Sequence, residues 1–137
     1  MTDTILLGTD GSADAQRATG HAIAVAAREG ATLHAVFVVD TRQLGEPALS
    51  SVELLIDEYE DRGWEILNGI ETAAAEHGVT VETTCCHGDP AEEIRRLADA
   101  ISADLIFLGR RGETHEKLPG KVSRKLSRED DRVIVTD

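Results

Sequence analysis

Short apolar runs alternate along this chain with stretches in which apolar positions recur every three or four residues. "TILLG" (Thr4–Gly8) is a buried-strand pattern ended by the turn-rich "TDGS". A helical pattern follows, with Ala18, Ala22, Val25 and Ala26 on one face, closed by Gly30. "TLHAVFVVD" (Thr32–Asp40) predicts a second strand and "TRQLGEPALSS" a loop. Leu55, Tyr59, Ile66, Ile70 and Ala73 then predict the inward face of a long helix that stops at His77-Gly78. "VTVETTCC" (Val79–Cys86) alternates, as a strand near a sheet edge does. Asp89 as N-cap, Pro90 at the first helical position and Glu92 completing a capping box open another helix, buried through Ile94, Leu97, Ala98 and Ile101. "DLIFLG" (Asp104–Gly109) and "RVIVTD" (Arg132–Asp137) predict two more strands, with a short basic helix between them from about Leu118 to Ser127.

Five strands alternating with four helices imply an α/β domain over residues 1–137, its sheet mainly parallel and covered on both faces. Such sheets bind ligands beyond the C-terminal strand ends, where strand order reverses. Two glycine-containing turns follow strands directly, "GTDGS" after the first and "GRRG" after the fourth. If those strands are neighbours, both turns open on one crevice.

Composition narrows the function classes. Aromatic residues are only 3% of the chain, so the core must be built mostly from Ala, Val, Ile and Leu. Twenty-six acids against 14 bases give a net charge of -12, and only Lys117, Lys121 and Lys125 among those bases are lysines. That balance opposes binding to nucleic acid or anionic membranes, and suits a halophilic protein working in concentrated salt. No run reaches the roughly 18 apolar residues of a membrane span. The acidic, glycine-interrupted start is unlike a signal peptide, so a cytoplasmic protein is expected.

The segment "GRRGETHEKLPGKVS" (Gly109–Ser123) stands out from this acidic background. Residues 109–128 hold seven bases and two acids, a local charge of +5, which falls to +2 once the three acids up to Asp131 are included. A phosphate cradle needs glycines that let backbone N–H groups approach the anion, a helix N-terminus and a finishing hydroxyl or cation. Gly109, Gly112 and Gly120, followed by a helix, supply that layout. The other reading is a glycine-rich loop with solvated bases. A Walker A loop is excluded, because His115 stands five residues before Gly120 and Val122 follows Lys121. The dinucleotide fingerprint is also missing from "GTDG".

The whole chain resembles the universal stress protein family, through "ILLGTDGS", "HAVFVVD", "GDPAEEI", "ADLIFLGRRG" and "VIVTD" in that order. The resemblance implies a Rossmann-like, five-stranded parallel sheet in order 3-2-1-4-5 and, in many members, binding of ATP or AMP. ATP-binding members carry G-x2-G-x9-G-[S/T] after the fourth strand. Gly109-Arg110-Arg111-Gly112 fits the first half. Seven residues rather than nine then precede Gly120, and Lys121 stands in the Ser/Thr position. Lys121 can supply a point charge there, and Ser123 a hydroxyl from the first helical turn. Carried over, the resemblance sets Asp10 near the ribose or a nucleotide-bound Mg, with Thr9 beside it, and Val38 against adenine. Gly109, Arg110, Arg111, Gly112, Gly120, Lys121, Val122 and Ser123 would line the phosphates. Asp10 can equally serve only its own turn.

"CCHGD" gathers two thiols, an imidazole and a carboxylate, but neighbouring strand residues point to opposite faces, so Cys85 and Cys86 cannot both face one ion. His21 is expected to be solvated on a helix flank, and His115 to be an exposed loop residue, with a phosphate contact as the other reading. No nucleophile with a base and an orienting group can be assembled, so catalysis beyond slow ATP hydrolysis is not expected. The expected function is stress-response regulation through adenine-nucleotide binding. The alternatives are a dimeric interaction module without nucleotide and a slow ATPase. The apolar last strand, with Val133, Ile134 and Val135, predicts a homodimer by edge pairing, as is common in the family, and the protein partner is unidentified.

Overall fold

A computed structural model describes residues 2–40, 49–109 and 121–136. Five strands, β1 (Thr4–Thr9), β2 (Thr32–Asp40), β3 (Val81–Gly88), β4 (Leu105–Gly109) and β5 (Val133–Thr136), form one sheet in the order β3-β2-β1-β4-β5. All four pairings are parallel. The connecting helices are α1 (Ala13–Glu29), α2 (Leu49–Ala75), α3 (Pro90–Ala100) and α4 (Lys121–Glu129). The strand order expected from the family resemblance is the one observed.

Each face of the sheet carries its own apolar cluster. Ile5, Leu7, Leu33, Phe37 and Phe107 point to the side of α1 and α2, where Ala18, Ala22, Leu67 and Ile70 meet them. Leu6, Val36, Ile106 and Leu108 point the other way, to Ile94 and Ala98 of α3 and Leu126 of α4. Strict alternation along parallel strands covered on both faces produces this division. Full burial of side chains such as Leu67 contributes about 1.5–3 kcal/mol each. Small residues also let the layers approach closely, since a β-carbon added at Gly63 of α2 would lie 2.5 Å from the Phe37 ring.

Local signals act where the sequence carries them. Ser12 caps α1 by accepting from the Ala15 N–H, and Gly30 ends it in a left-handed conformation (φ 66°), its N–H donating to Ala26 O. Asp89 caps α3 through the Ala91 N–H, with Pro90 in the first turn. Four expectations need correction. The loop expected as far as Ser51 ends sooner, because α2 already begins at Leu49. The strand expected at Val79–Cys86 runs from Val81 to Gly88, because Val79 is buried in the turn that follows α2. The basic helix, described from Lys121, runs on to Glu129 rather than ending at Ser127, and its expected start at Leu118 lies outside the described residues. Tyr59 is 41% exposed rather than inward-facing, since the buried line of α2 passes through Gly63, Leu67, Ile70 and Ala74.

Candidate functional site

Pairing between β1 and β4 runs from Ile5↔Leu105 to Leu7↔Phe107, and both strands continue beyond it, to Thr9 and Gly109. The chain leaves β1 towards β2 on one side and reaches β4 on the other, so strand order reverses here. A crevice at this switch point is where an open parallel sheet accepts ligands.

The turn after β1 is built by its own side chains. The Gly11 N–H donates to Thr9 Oγ1 at 3.2 Å, and the Ser12 N–H donates to Asp10 Oδ1 at 2.9 Å. Gly11 has φ 79°, which favours glycine, and a β-carbon there would sit 2.6 Å from Ile66 Cδ1, a side-chain end that would have to swing aside. Asp10 therefore performs the turn chemistry that its "DGS" setting implies, with its carboxylate held at the head of α1. In the first turn of that helix Asp14 is 95% buried and pairs with Arg17. A carboxylate in this position is favoured by the positive end of the helix dipole.

On the α3 side of the sheet, α4 packs against α3 and β5. Because β5 starts at the N-terminal side of the sheet, alongside Ile106, α4 must run against the strands and present its N-terminus at their C-terminal ends. Ser123 in its first turn is buried. Val122 packs on the same apolar cluster as Val38 from the end of β2. The other end of α4 is tied down by charge. Glu129 pairs with Arg95 of α3, while Arg132 chelates Asp130 (2.6 and 2.9 Å) and reaches Asp99 Oδ1 at 3.0 Å.

Titratable groups outside the crevice are shaped by burial. The thiols are split between the two faces, Cys85 with the α1–α2 cluster and Cys86 with the α3–α4 cluster, as strand alternation predicts. Burial pushes both thiols above their ordinary pKa, Glu60 adding to this at Cys85 and Glu93 at Cys86, so neither is an activated nucleophile. His34, buried on β2, bonds with Thr84 Oγ1 at 2.8 Å and lies 3.7 Å from Glu82. Burial lowers its pKa, with Glu82 opposing. His21 is exposed, as expected, with its ring edge-on to Phe107 and Nδ1 3.4 Å from Thr136 Oγ1.

Of the residues singled out in the sequence, Thr9, Asp10 and Gly109 lie at the ends of β1 and β4, while Val38, Val122 and Ser123 lie on the α3–α4 side. Arg110, Arg111, Gly112, His115, Gly120 and the Lys121 side chain lie outside the described residues. Sequence reasoning missed Asp14 and His34. The i,i+3 spacing of Asp14 and Arg17 was a usable signal for the first. The Thr84 partner of His34 stands 50 residues away and was not legible.

The profile of the universal stress protein family matches residues 1–129. A universal stress protein of Methanocaldococcus jannaschii is 38% identical over 111 residues, and the match spans 80% of this chain and 65% of that protein's length. Among solved structures, the universal stress protein UspA of Lactobacillus plantarum superposes with a TM-score of 0.87 at 27% identity, covering 99% of this chain and 98% of that one. A universal stress protein in complex with cAMP superposes with a TM-score of 0.73 at 26% identity, covering 99% and 97%.

Proposed function

The chain belongs to the universal stress protein family, and from that footing we propose that it is a cytoplasmic, single-domain stress-response regulator that binds ATP or AMP in the crevice between β1 and β4. The observation that carries this reading is the meeting of the capped start of α1 with the end of β4 at the switch point, with the N-terminus of α4 directed to the same edge of the sheet. Aligned N–H groups at helix starts favour phosphate. The apolar fringe shared by Val38 and Val122 offers a surface for a base. The cAMP complex of a relative gives independent support for an adenine nucleotide.

In this reading Asp10 serves the ribose or a nucleotide-bound Mg. The phosphates fall to Gly109, Arg110, Arg111, Gly112, Gly120, Lys121 and Ser123. Calorimetric titration with ATP–Mg and with AMP, in molar KCl, tests this. Saturable binding abolished by Gly112→Val supports the site, and a preference for AMP assigns the shortened loop a cost in outer-phosphate contacts. No heat from folded protein overturns the reading in favour of the interaction module.

The half-buried edge strand β5, with Val133, Ile134 and Val135, supports dimerisation through that edge. A monomeric mass by light scattering at micromolar concentration would refute it. The charge of -12 supports a halophilic protein whose melting temperature rises from dilute buffer to molar KCl.

A further inference from the structure

Helix α2 has two sides of opposite character. Gly63, Leu67, Ile70 and Ala74 are buried against the sheet. Among the described residues, the large apolar side chains left in solvent all ride on this helix: Leu54 at 66%, Trp64 at 43% and Tyr59 at 41% exposure. Positions 54, 57, 61, 64 and 68 follow a 3-4-3-4 spacing, which draws them into one stripe along a helix. That stripe reads Leu54, Asp57, Asp61, Trp64 and Asn68, every one exposed. Between Leu49 and Ala75 the sequence has seven carboxylates and a single base, Arg62. Arg62 is half-buried and its guanidinium lies towards Gly11, off the stripe.

We infer that the Leu54–Trp64 stripe of α2 is a docking surface for a basic amphipathic helix of another protein. Leu54 and Trp64 are ten residues apart, about 15 Å along the helix, with Asp57 and Asp61 between them. The complement is a segment with apolar side chains at that separation and Lys or Arg in between. A tryptophan that is half in solvent is the usual kind of interface anchor, and a guanidinium can lie on its ring while pairing with a neighbouring carboxylate. A second copy docking through the same face would set Asp57 and Asp61 against themselves, so charge selects a basic partner over self-association. The surface uses none of the residues offered for the nucleotide, so the two readings stand or fall separately.

Trp64 is the only tryptophan in the chain, and its emission reports on this face alone. The probe is a dye-labelled synthetic helix with two leucines ten residues apart and arginines between them. A counterpart carries glutamates in place of the arginines. Both are titrated into full-length protein at two KCl concentrations where circular dichroism shows it folded. Saturable binding of the arginine peptide, weaker at the higher salt and accompanied by a blue shift of Trp64 emission, is expected. Leu54→Ser, and separately Asp57→Asn with Asp61→Asn, should each weaken it about tenfold. Glu29→Gln with Asp131→Asn removes the same charge elsewhere and should leave it nearly unchanged. Equal loss in that control pair, binding of the glutamate peptide or no saturation would overturn the inference. So would a mass that grows with protein concentration and is reset by Leu54→Ser, because the occupant would then be a second copy.

Discussion

A β-carbon built on Gly109 would lie 2.6 Å from the backbone nitrogen of Ala15 and 2.7 Å from the carbonyl carbon of Asp14. The end of β4 and the first turn of α1 therefore meet backbone to backbone, where no side chain can move aside. Gly109 opens the glycine-rich motif, yet this contact alone requires it. Gly109→Ala is expected to destabilise the fold by about 2–3 kcal/mol. An unchanged urea midpoint would mean that the contact yields without cost. Gly112→Val is accordingly the cleaner probe of nucleotide binding.

Gly63 and Phe37 form a second contact of this kind, with a flexible partner instead of backbone. Gly63→Ala brings a β-carbon to 2.5 Å from Phe37 Cδ1 and should cost about 1–3 kcal/mol. Phe37→Leu in the same background should recover part of that loss, because the clash is with the ring. Chemical denaturation of the two single variants and the double variant measures the coupling. Additive losses would show that Phe37 is not what the new methyl meets.

His34 couples stability to mild acid. Burial lowers its folded pKa below the ordinary value near 6.5, so the unfolded chain takes up the proton first. Its contribution is complete above that value and is lost as pH falls through it towards the folded pKa. Between pH 7 and 5 the wild-type denaturation midpoint should fall more steeply than that of His34→Gln. Glu82 partly offsets the effect, so Glu82→Gln should deepen the drop. Parallel slopes in all three proteins would remove His34 from the account.

Arg132 holds the Asp130 carboxyl below the usual carboxylate range, chiefly through their hydrogen bonds. The stabilisation is present above the ordinary carboxylate pKa of about 4 and is lost as pH falls through the folded value. Arg132→Met should cost about 1 kcal/mol at neutral pH and flatten the acid limb below pH about 4. A variant as stable as wild type, with the same acid limb, would leave the bridge between α4, β5 and Asp99 of α3 without energetic weight.

Much of the architecture was legible because its signals are local. Asp89-Pro90, Ser12 and Gly30 mark helix ends within a few residues of where they act, and the apolar runs of β1, β2 and β4 mark strands buried on both faces. Tyr59 shows where periodicity stops being informative. Aligned with Ile66 and Ile70 at near-helical spacing, it still falls at the border of the buried face, and a two-turn extrapolation cannot fix the rotation of a 27-residue helix.

The sequence by itself determined the alternation of strands and helices and the split of Cys85 and Cys86 to opposite faces, since each follows from neighbours along the chain. Only the tertiary structure decided that Gly109 and Gly63 are contact glycines, that Asp14 and His34 are buried polar groups, and that Leu54 and Trp64 share an outward acidic stripe. Those properties depend on partners such as Ala15, Phe37 and Thr84, brought close by the stacking of layers. Nothing in the local pattern of a glycine or a histidine records what a distant segment will set against it.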